Sequence, residues 1–210
     1  MLTPNLACRF LNTLPYFATV CPEAEIYTIE KNEQMLQAAR HNIAESGLQD
    51  RIHSLFGDGQ EQIEKLASQG INGFDFVFID CPPSLGVITT NALTASDSII
   101  IPVQCEFFAL EGIMQLLNSI MIAQKKLNPT LDIEGVLLTM LDYRTNLGLE
   151  VVEEIKSYFK DKVYDTIIPR LVRLSEAPSH GKPIHAYDSK SRGTEAYINL
   201  AKEVIARNGE

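Results

Sequence analysis

Residues 74–84 hold the side chains whose type and order are best suited to chemistry. The run Phe74 to Ile79 is apolar except for Asp75, and Asp80 follows it directly, before Cys81-Pro82-Pro83. Such a run predicts a buried parallel strand that brings the Asp80 carboxylate to the carboxyl edge of a sheet, where open α/β folds bind their ligands. In the alternative interpretation, Asp80 only caps a helix or forms a turn.

The elements that must position this carboxylate alternate between strand and helix along the chain. Alternation of this kind predicts parallel strands joined by right-handed crossovers. We therefore expect an α/β fold with one continuous, doubly wound, mostly parallel sheet in three layers, within a single domain of residues 1–210. The predicted strands are Glu25 to Glu30, Ile52 to Phe56, Phe74 to Ile79, Ser98 to Val103, Glu134 to Met140 and Val163 to Ile168. The predicted helices are Leu6 to Val20, Asn32 to Ser46, Glu61 to Ser68, Leu85 to Leu93, Ala109 to Leu127, Leu149 to Phe159 and Thr194 to Ala206.

Composition excludes several classes of protein. The 210 residues are 45% hydrophobic and 21% charged, which is enough to bury a sizeable core. No run approaches the roughly 18 apolar residues of a membrane span, and no signal peptide is recognisable, so we expect a cytoplasmic protein with no membrane partner. The four cysteines lie far apart without a C-x-x-C pair, which argues against a zinc site or a disulfide framework.

Charge is distributed unevenly along the chain. The net charge of −9 argues against a globally basic nucleic-acid binder. Residues 1–80 carry 5 Lys and Arg against 11 Asp and Glu, whereas residues 161–210 carry 8 against 7. Any contact with a polyanion is therefore expected towards the carboxyl end.

Residues 23–80 contain the string EIYTIEKNEQMLQAARHNIAESGLQDRIHSLFGDG, in which Glu30 ends one predicted strand and Asp58 follows the next. This string resembles the small-molecule O-methyltransferases of the class I S-adenosylmethionine-dependent family. The resemblance implies that Glu30 accepts hydrogen bonds from the cofactor ribose and that Asp58 lies near the adenine. The family's glycine-rich loop is absent before Gly47, so both residues are equally well interpreted as solvated carboxylates at strand ends.

From Phe74 onward the sequence resembles the ParA/Soj branch of the deviant Walker ATPases, which segregate chromosomes and plasmids. The matching strings include FDFVFIDCPPSLG, TTNALTASDSIIIPVQCEFFALEGI, IEGVLLTMLDYRTN, IIPRLVRLSEAPSHGKPI and SKSRGTEAYINLAKEV. The resemblance implies that Asp80 lies near Mg²⁺ and the attacking water, because a carboxylate can hold Mg²⁺ through water and orient a nucleophile. It also implies a nucleotide site that includes Pro82, Pro83, Gly86, Met140 and Pro169.

The same resemblance implies sequence-independent DNA binding by basic residues of the carboxyl-terminal portion. Lys and Arg suit this role because a phosphate contact needs charge and no base edge. Each one is also interpretable as an ordinary solvated surface charge. The candidates are Arg144, Arg170, Arg173, Lys182, Lys190 and Arg192.

The phosphate-binding loop expected of this second family, a K-G-G-x-G-K-S/T-like segment, is absent from the 210 residues. The two resemblances meet near residues 74–80, which predicts a chimera with a methyltransferase-like part over 1–80 and a ParA-like part over 74–210. Both families use a central first strand that is not evident here. We expect a stub near Leu2 to Leu6, an inward shift of the second strand, or strand exchange in a homodimer to fill its place.

Three functions are therefore open. The first is a ParA-like remnant that does not hydrolyse ATP but binds nucleotide with Mg²⁺, or DNA, weakly. The second is a residual S-adenosylmethionine-binding protein. The third is an engineered or accidental scaffold with no activity, and on that hypothesis no cofactor is bound.

Overall fold

The computed structural model describes residues 5–8, 18, 20–71, 73–81, 84, 86–180 and 182–208. Pro82, Pro83 and most of the helix predicted over Leu6 to Val20 lie outside the described residues. The contacts divide the chain into two compact units. Unit one comprises Met1–Asp80 and Val172–Lys202, and unit two comprises Cys81–Leu171 and Glu203–Glu210. The single domain over residues 1–210 and the sequence seam near residues 74–80 stay predictions.

The described strands pair in parallel, which confirms the predicted α/β class, but they lie in two sheets. One sheet belongs to each unit, and the expectation of one continuous sheet stays a prediction. The strand predicted over Phe74 to Ile79 is shortened to three residues. The strands are β1 (Asn5–Cys8), β2 (Glu25–Glu30), β3 (Ile52–Phe56), β4 (Phe76–Phe78), β5 (Ser98–Gln104) and β6 (Asp132–Thr139).

The sheet of unit one has the strand order β3-β2-β1-β4. Strand β1 lies between β2 and β4, with Leu6 paired to both Ile26 and Phe76. The prediction that a helix begins at Leu6 is therefore wrong, because the backbone there completes two parallel ladders. Of the three expected ways to fill the central position, the structure shows a short strand near the amino terminus.

Helices follow most of the predicted positions, with two additions near the carboxyl end. Helix α1 begins where the Asn32 side chain accepts hydrogen bonds from the N–H groups of Gln34 and Met35, at 2.9 and 3.2 Å. It ends before Gly47, whose φ of +66° favours glycine. The helices are α1 (Glu33–Glu45), α2 (Gly59–Ser68), α3 (Val87–Ala95), α4 (Ala109–Lys126), α5 (Asn146–Phe159), α6 (Val172–Ser179), α7 (Ile184–Tyr187) and α8 (Arg192–Asn208). The sequence pattern missed α6 and α7, which are short and contain or adjoin prolines.

Unit two is built around the paired strands β5 and β6. Four successive residues of β6, Gly135 to Leu138, are buried, as expected for a parallel strand covered on both faces. The core adds Ile101 from β5, Ile120 from α4 and Ile155 from α5, each at most 2% exposed. This packing holds the carboxyl ends of β5 and β6 side by side.

The strand predicted over Val163 to Ile168 is wrong. In this segment Val163 makes an isolated bridge to Val136. The N–H groups of Asp165 and Thr166 donate to the Glu203 carboxylate, at 2.8 and 2.9 Å, and not to a neighbouring strand. A side chain therefore satisfies these backbone donors where a sheet ladder was expected.

Within the described residues, no helix combines the length and the apolar character that a membrane crossing requires.

Candidate functional site

Asp80 lies two residues beyond β4 and is exposed. Its position past the carboxyl end of a parallel strand agrees with the position inferred from the sequence. The next predicted site residue that the structure describes is Gly86. It is the N-cap of α3, and no side chain makes a capping hydrogen bond there. Among the described residues, no group of three or more His, Cys, Asp or Glu side chains could hold a metal ion. Mg²⁺ commonly uses only one or two carboxylates together with substrate phosphates, so the indirect role of Asp80 at Mg²⁺ stays a prediction.

Glu30 and Asp58 both have local structural partners. Glu30 Oε1 accepts a hydrogen bond from the N–H of Asn32 at 2.7 Å, immediately before α1. Asp58 is the N-cap of α2, and its Oδ1 accepts from the N–H of Gln60 at 3.0 Å. The two carboxylates therefore stabilise helix starts, which favours the structural interpretation over a role in binding a cofactor.

A cavity of about 690 Å³ opens in unit two, beyond the carboxyl ends of β5 and β6. Its polar lining residues include Glu106, Asp142 and Arg170. The apolar lining includes Val103, Cys105, Ile113, Leu116, Met140 and Leu147. An apolar cleft with a few polar groups at strand ends is the usual form of a small-molecule site in such sheets.

Met140 and Pro169, both predicted for the nucleotide site, lie close to this cavity. Met140 lines it and has a φ of +54°, a conformation that non-glycine residues rarely adopt. Leu141 forms a parallel bridge with Pro169, and the N–H of Arg170 donates to the Leu141 carbonyl at 2.9 Å. The structure thus places the two predicted residues at the same strand end. The sequence reasoning missed the apolar lining, whose signal was the run from Val103 to Phe108 directly after β5.

Four of the six predicted DNA-binding cations form ion pairs. In unit two, Arg144 pairs with Asp142 through two bonds of 2.9 and 2.7 Å, and Arg170 pairs with Glu106 at 3.1 Å. The hydrogen bonds from Arg144 lower the pKa of Asp142 to about 2. These two arginines therefore present less net positive charge than the sequence suggested.

The carboxyl-terminal part of unit one holds the other four candidates. Arg173 lies 3.3 Å from Glu176 and 3.7 Å from Asp188, and its guanidinium lies over the ring of Tyr187. Lys182 pairs with Glu45 at 2.6 Å. In the part of the chain that the structure describes, neither Lys190 nor Arg192 forms an ion pair. Arg192 is the first residue of α8, and Lys190 lies two residues before it.

Comparison with known proteins identifies the family of the chain. The model of an AAA domain family matches residues 17–133, more than half of the chain. The chain belongs to this AAA domain family. The matched range includes residues 23–80, so the methyltransferase-like segment and the chimera receive no support.

Its curated relatives are of the ParA/Soj type. The chain is 69% identical over 133 residues to the sporulation initiation inhibitor protein Soj of Bacillus subtilis, covering 63% of this chain and 53% of that protein. It is 54% identical over 135 residues to the chromosome partitioning protein ParA of Myxococcus xanthus, covering 64% and 48%. The chain spans about half the length of these relatives.

A solved structure of another protein has the same fold as this chain. The septum site-determining protein MinD of Pyrococcus horikoshii, complexed with Mg-ADP, superposes with a TM-score of 0.60. The alignment covers 99% of this chain and 98% of that one, at 17% sequence identity. This likeness shows the parallel α/β fold, in agreement with the class predicted from the sequence.

Proposed function

We propose that this chain is a partitioning-type member of its family that binds adenine nucleotide weakly and does not hydrolyse ATP on its own. The observation that carries the proposal is the cavity at the carboxyl ends of β5 and β6, which includes Met140 and adjoins Pro169. Its volume of about 690 Å³ lies in the range of small-molecule sites. The Mg-ADP complex of the structural relative gives the ligand its chemical class.

The proposed lack of hydrolysis is supported by the sequence. No K-G-G-x-G-K-S/T-like segment occurs in the 210 residues. Such a loop supplies the lysines and backbone N–H groups that hold the triphosphate and stabilise the charge that develops on transfer. Removal of one such donor costs roughly a hundredfold or more in rate, so a chain without the loop is expected to show no turnover.

A thermal melt tests the binding. The ligand is present at about 5 mM, which is roughly a hundred times a dissociation constant of about 50 μM. A ligand at that excess stabilises by about 2.7 kcal/mol, which corresponds to a shift of about 5 to 11 °C for a chain of this size. We expect Mg-ADP to raise the midpoint and S-adenosylmethionine to leave it unchanged. Met140→Glu should abolish the shift, because the new carboxylate repels an anionic ligand at the cavity.

Met121→Glu is the matched control. Met121 has an exposure of 47%, close to the 45% of Met140, and it does not line the cavity among the described residues. An equal loss of the shift in both variants would contradict binding at the cavity. Release of phosphate above the rate without protein would contradict the absence of hydrolysis.

Sequence-independent DNA binding is a second candidate function, favoured by the absence of ion pairs at Lys190 and Arg192 in the described residues. Binding of a labelled duplex should weaken as salt rises, since each phosphate contact releases condensed counterions. With two to four contacts, log K should fall against log salt with a slope of about −2 to −4. Binding that does not depend on salt, or that needs one particular sequence, would contradict this function. The homodimer and the cytoplasmic location stay predictions.

A further inference from the structure

The ion pair between Lys182 and Glu45 joins two distant parts of the sequence within unit one. Lys182 Nζ lies 2.6 Å from Glu45 Oε2, and both side chains are partly exposed, at 36% and 39%. Glu45 is the last residue of α1, and Lys182 lies between α6 and α7. The pair is therefore reachable by solvent and by a ligand on the same surface.

Local structure explains why this pair forms. A carboxylate in the last turn of a helix lies at the negative end of the helix dipole, and the ammonium of Lys182 offsets that unfavourable position. The hydrogen bond from Lys182 also lowers the pKa of Glu45. The Lys182 backbone is held as well, because its N–H donates to the Ala177 carbonyl at 3.0 Å and Pro183 follows it.

We propose that Glu45 competes with a polyanion for Lys182, so that this carboxylate limits the affinity of the chain for DNA. The inference rests on the second proposed function, DNA binding by the basic residues near the carboxyl end. A phosphate that approaches Lys182 shares the ammonium with the carboxylate at 2.6 Å and is repelled by its negative charge, so each phosphate contact is weaker than at a lysine without such a neighbour. Exposed ion pairs are weak, so the carboxylate lowers the affinity without preventing binding.

Arg173 shows why Lys182 is the residue that a polyanion can recruit. The Arg173 guanidinium is held by Glu176, by Asp188 and by the Tyr187 ring and hydroxyl. A phosphate would have to compete with several contacts there, whereas at Lys182 it competes with a single carboxylate. Lys182 also has four rotatable side-chain bonds with which to turn towards a ligand.

The test compares charge-matched variants of the full chain. Glu45→Gln removes the competing charge, and Glu33→Gln makes the same change at the other end of the same helix. Glu33 makes no ion pair among the described residues. Affinity for a labelled random-sequence duplex is measured by fluorescence anisotropy from low to moderate salt. We expect Glu45→Gln to bind roughly two- to fivefold more tightly than Glu33→Gln, the range set by an exposed ion pair.

A third variant separates the local effect from general electrostatics. In a Lys182→Gln background, Glu45→Gln should add no more affinity than Glu33→Gln does. Equal affinities of Glu45→Gln and Glu33→Gln, with the unsubstituted chain still binding, would overturn this inference and leave DNA binding intact. No binding by any variant, with a cooperative melt for each, would overturn both.

Discussion

The guanidinium carbon of Arg207 lies 4.1 Å from the centroid of the Tyr164 ring. Tyr164 is completely buried, and Arg207 also donates to the Val163 carbonyl and to the Glu203 carboxylate, each at 2.9 Å. The last turn of α8 is thus fixed to the segment that follows α5. This arrangement takes the place of the strand that the apolar pattern of residues 163–168 predicts.

Replacement of Arg207 should therefore destabilise the fold. Arg207→Met keeps an apolar stem over the ring but loses the cation–π contact, the hydrogen bond to the Val163 carbonyl and the ion pair with Glu203. We expect a loss of about 1 to 3 kcal/mol in the free energy of unfolding, measured by urea denaturation. Lys202→Met, which removes an exposed charge from the same helix, should change it by less than about 0.5 kcal/mol. Similar losses in both variants would show that helix charge alone matters.

Gly135 is, after Arg207, a second position next to Tyr164 at which a substitution should lower the stability of the fold. A Cβ at Gly135 would lie 2.5 Å from Tyr164 Cε2 and 2.9 Å from the Lys162 carbonyl oxygen. The ring is fully buried and the carbonyl is backbone, so neither can move easily. We expect Gly135→Ala to cost about 1 to 3 kcal/mol in the free energy of unfolding.

Gly59→Ala is the control for that change. Gly59 is the first residue of α2, and a Cβ there would meet nothing within 4 Å. Alanine should stabilise this position by about 0.4 to 1 kcal/mol, because it restricts the unfolded chain. If both substitutions change the midpoint of thermal unfolding in the same direction, contact with Tyr164 is not the cause.

Stability should fall in acid, partly through Glu203. Burial of this carboxyl favours its neutral form, but hydrogen bonds from Thr166, Asp165 and Arg207 outweigh burial and lower its pKa. A carboxyl whose pKa is lower in the folded state stabilises the fold above its unfolded pKa of about 4.3. That contribution is lost as the pH falls through the folded pKa.

Glu203→Gln tests this linkage. The amide cannot titrate, so the variant should be less stable than the unsubstituted chain at pH 7, and the two should converge as the pH falls through the folded pKa of Glu203. Urea unfolding at several pH values gives both curves. A constant difference between them at all pH values would show that Glu203 acts through packing and not through its charge.

The sequence predicted the elements with strong periodicity and failed where side chains determine the backbone. Strands β2 and β3 have the predicted bounds, since apolar alternation and the flanking turns mark them clearly. The segment Val163 to Ile168 has the same apolar character, but the N–H groups of Asp165 and Thr166 donate to Glu203, some 40 residues away. The pattern contains no information on such a distant partner.

At the candidate site, too, the sequence pattern did not predict contacts between residues that are far apart in the chain. Met140 and Pro169 were predicted from a family resemblance and are brought to one strand end, whereas the ion pairs of Lys182 and Arg170 were not foreseen. A lysine and the carboxylate that neutralises it can be far apart in sequence, as Glu45 and Lys182 are. Charge counts along the chain therefore overestimated the positive charge that a polyanion would meet.

The contrast between paired and unpaired arginines leads to a prediction on DNA binding. Arg192 has no ion pair in the described residues, whereas Arg144 is held by Asp142 in two hydrogen bonds. We expect Arg192→Gln to weaken duplex binding at all sequences and to reduce the salt slope by about 0.9, since one phosphate contact is lost. Arg144→Gln should leave the slope unchanged, because its charge is already neutralised. Anisotropy titrations at four or more salt concentrations separate the two cases, and a reduced slope in Arg144→Gln alone would show that the pair with Asp142 opens when DNA binds.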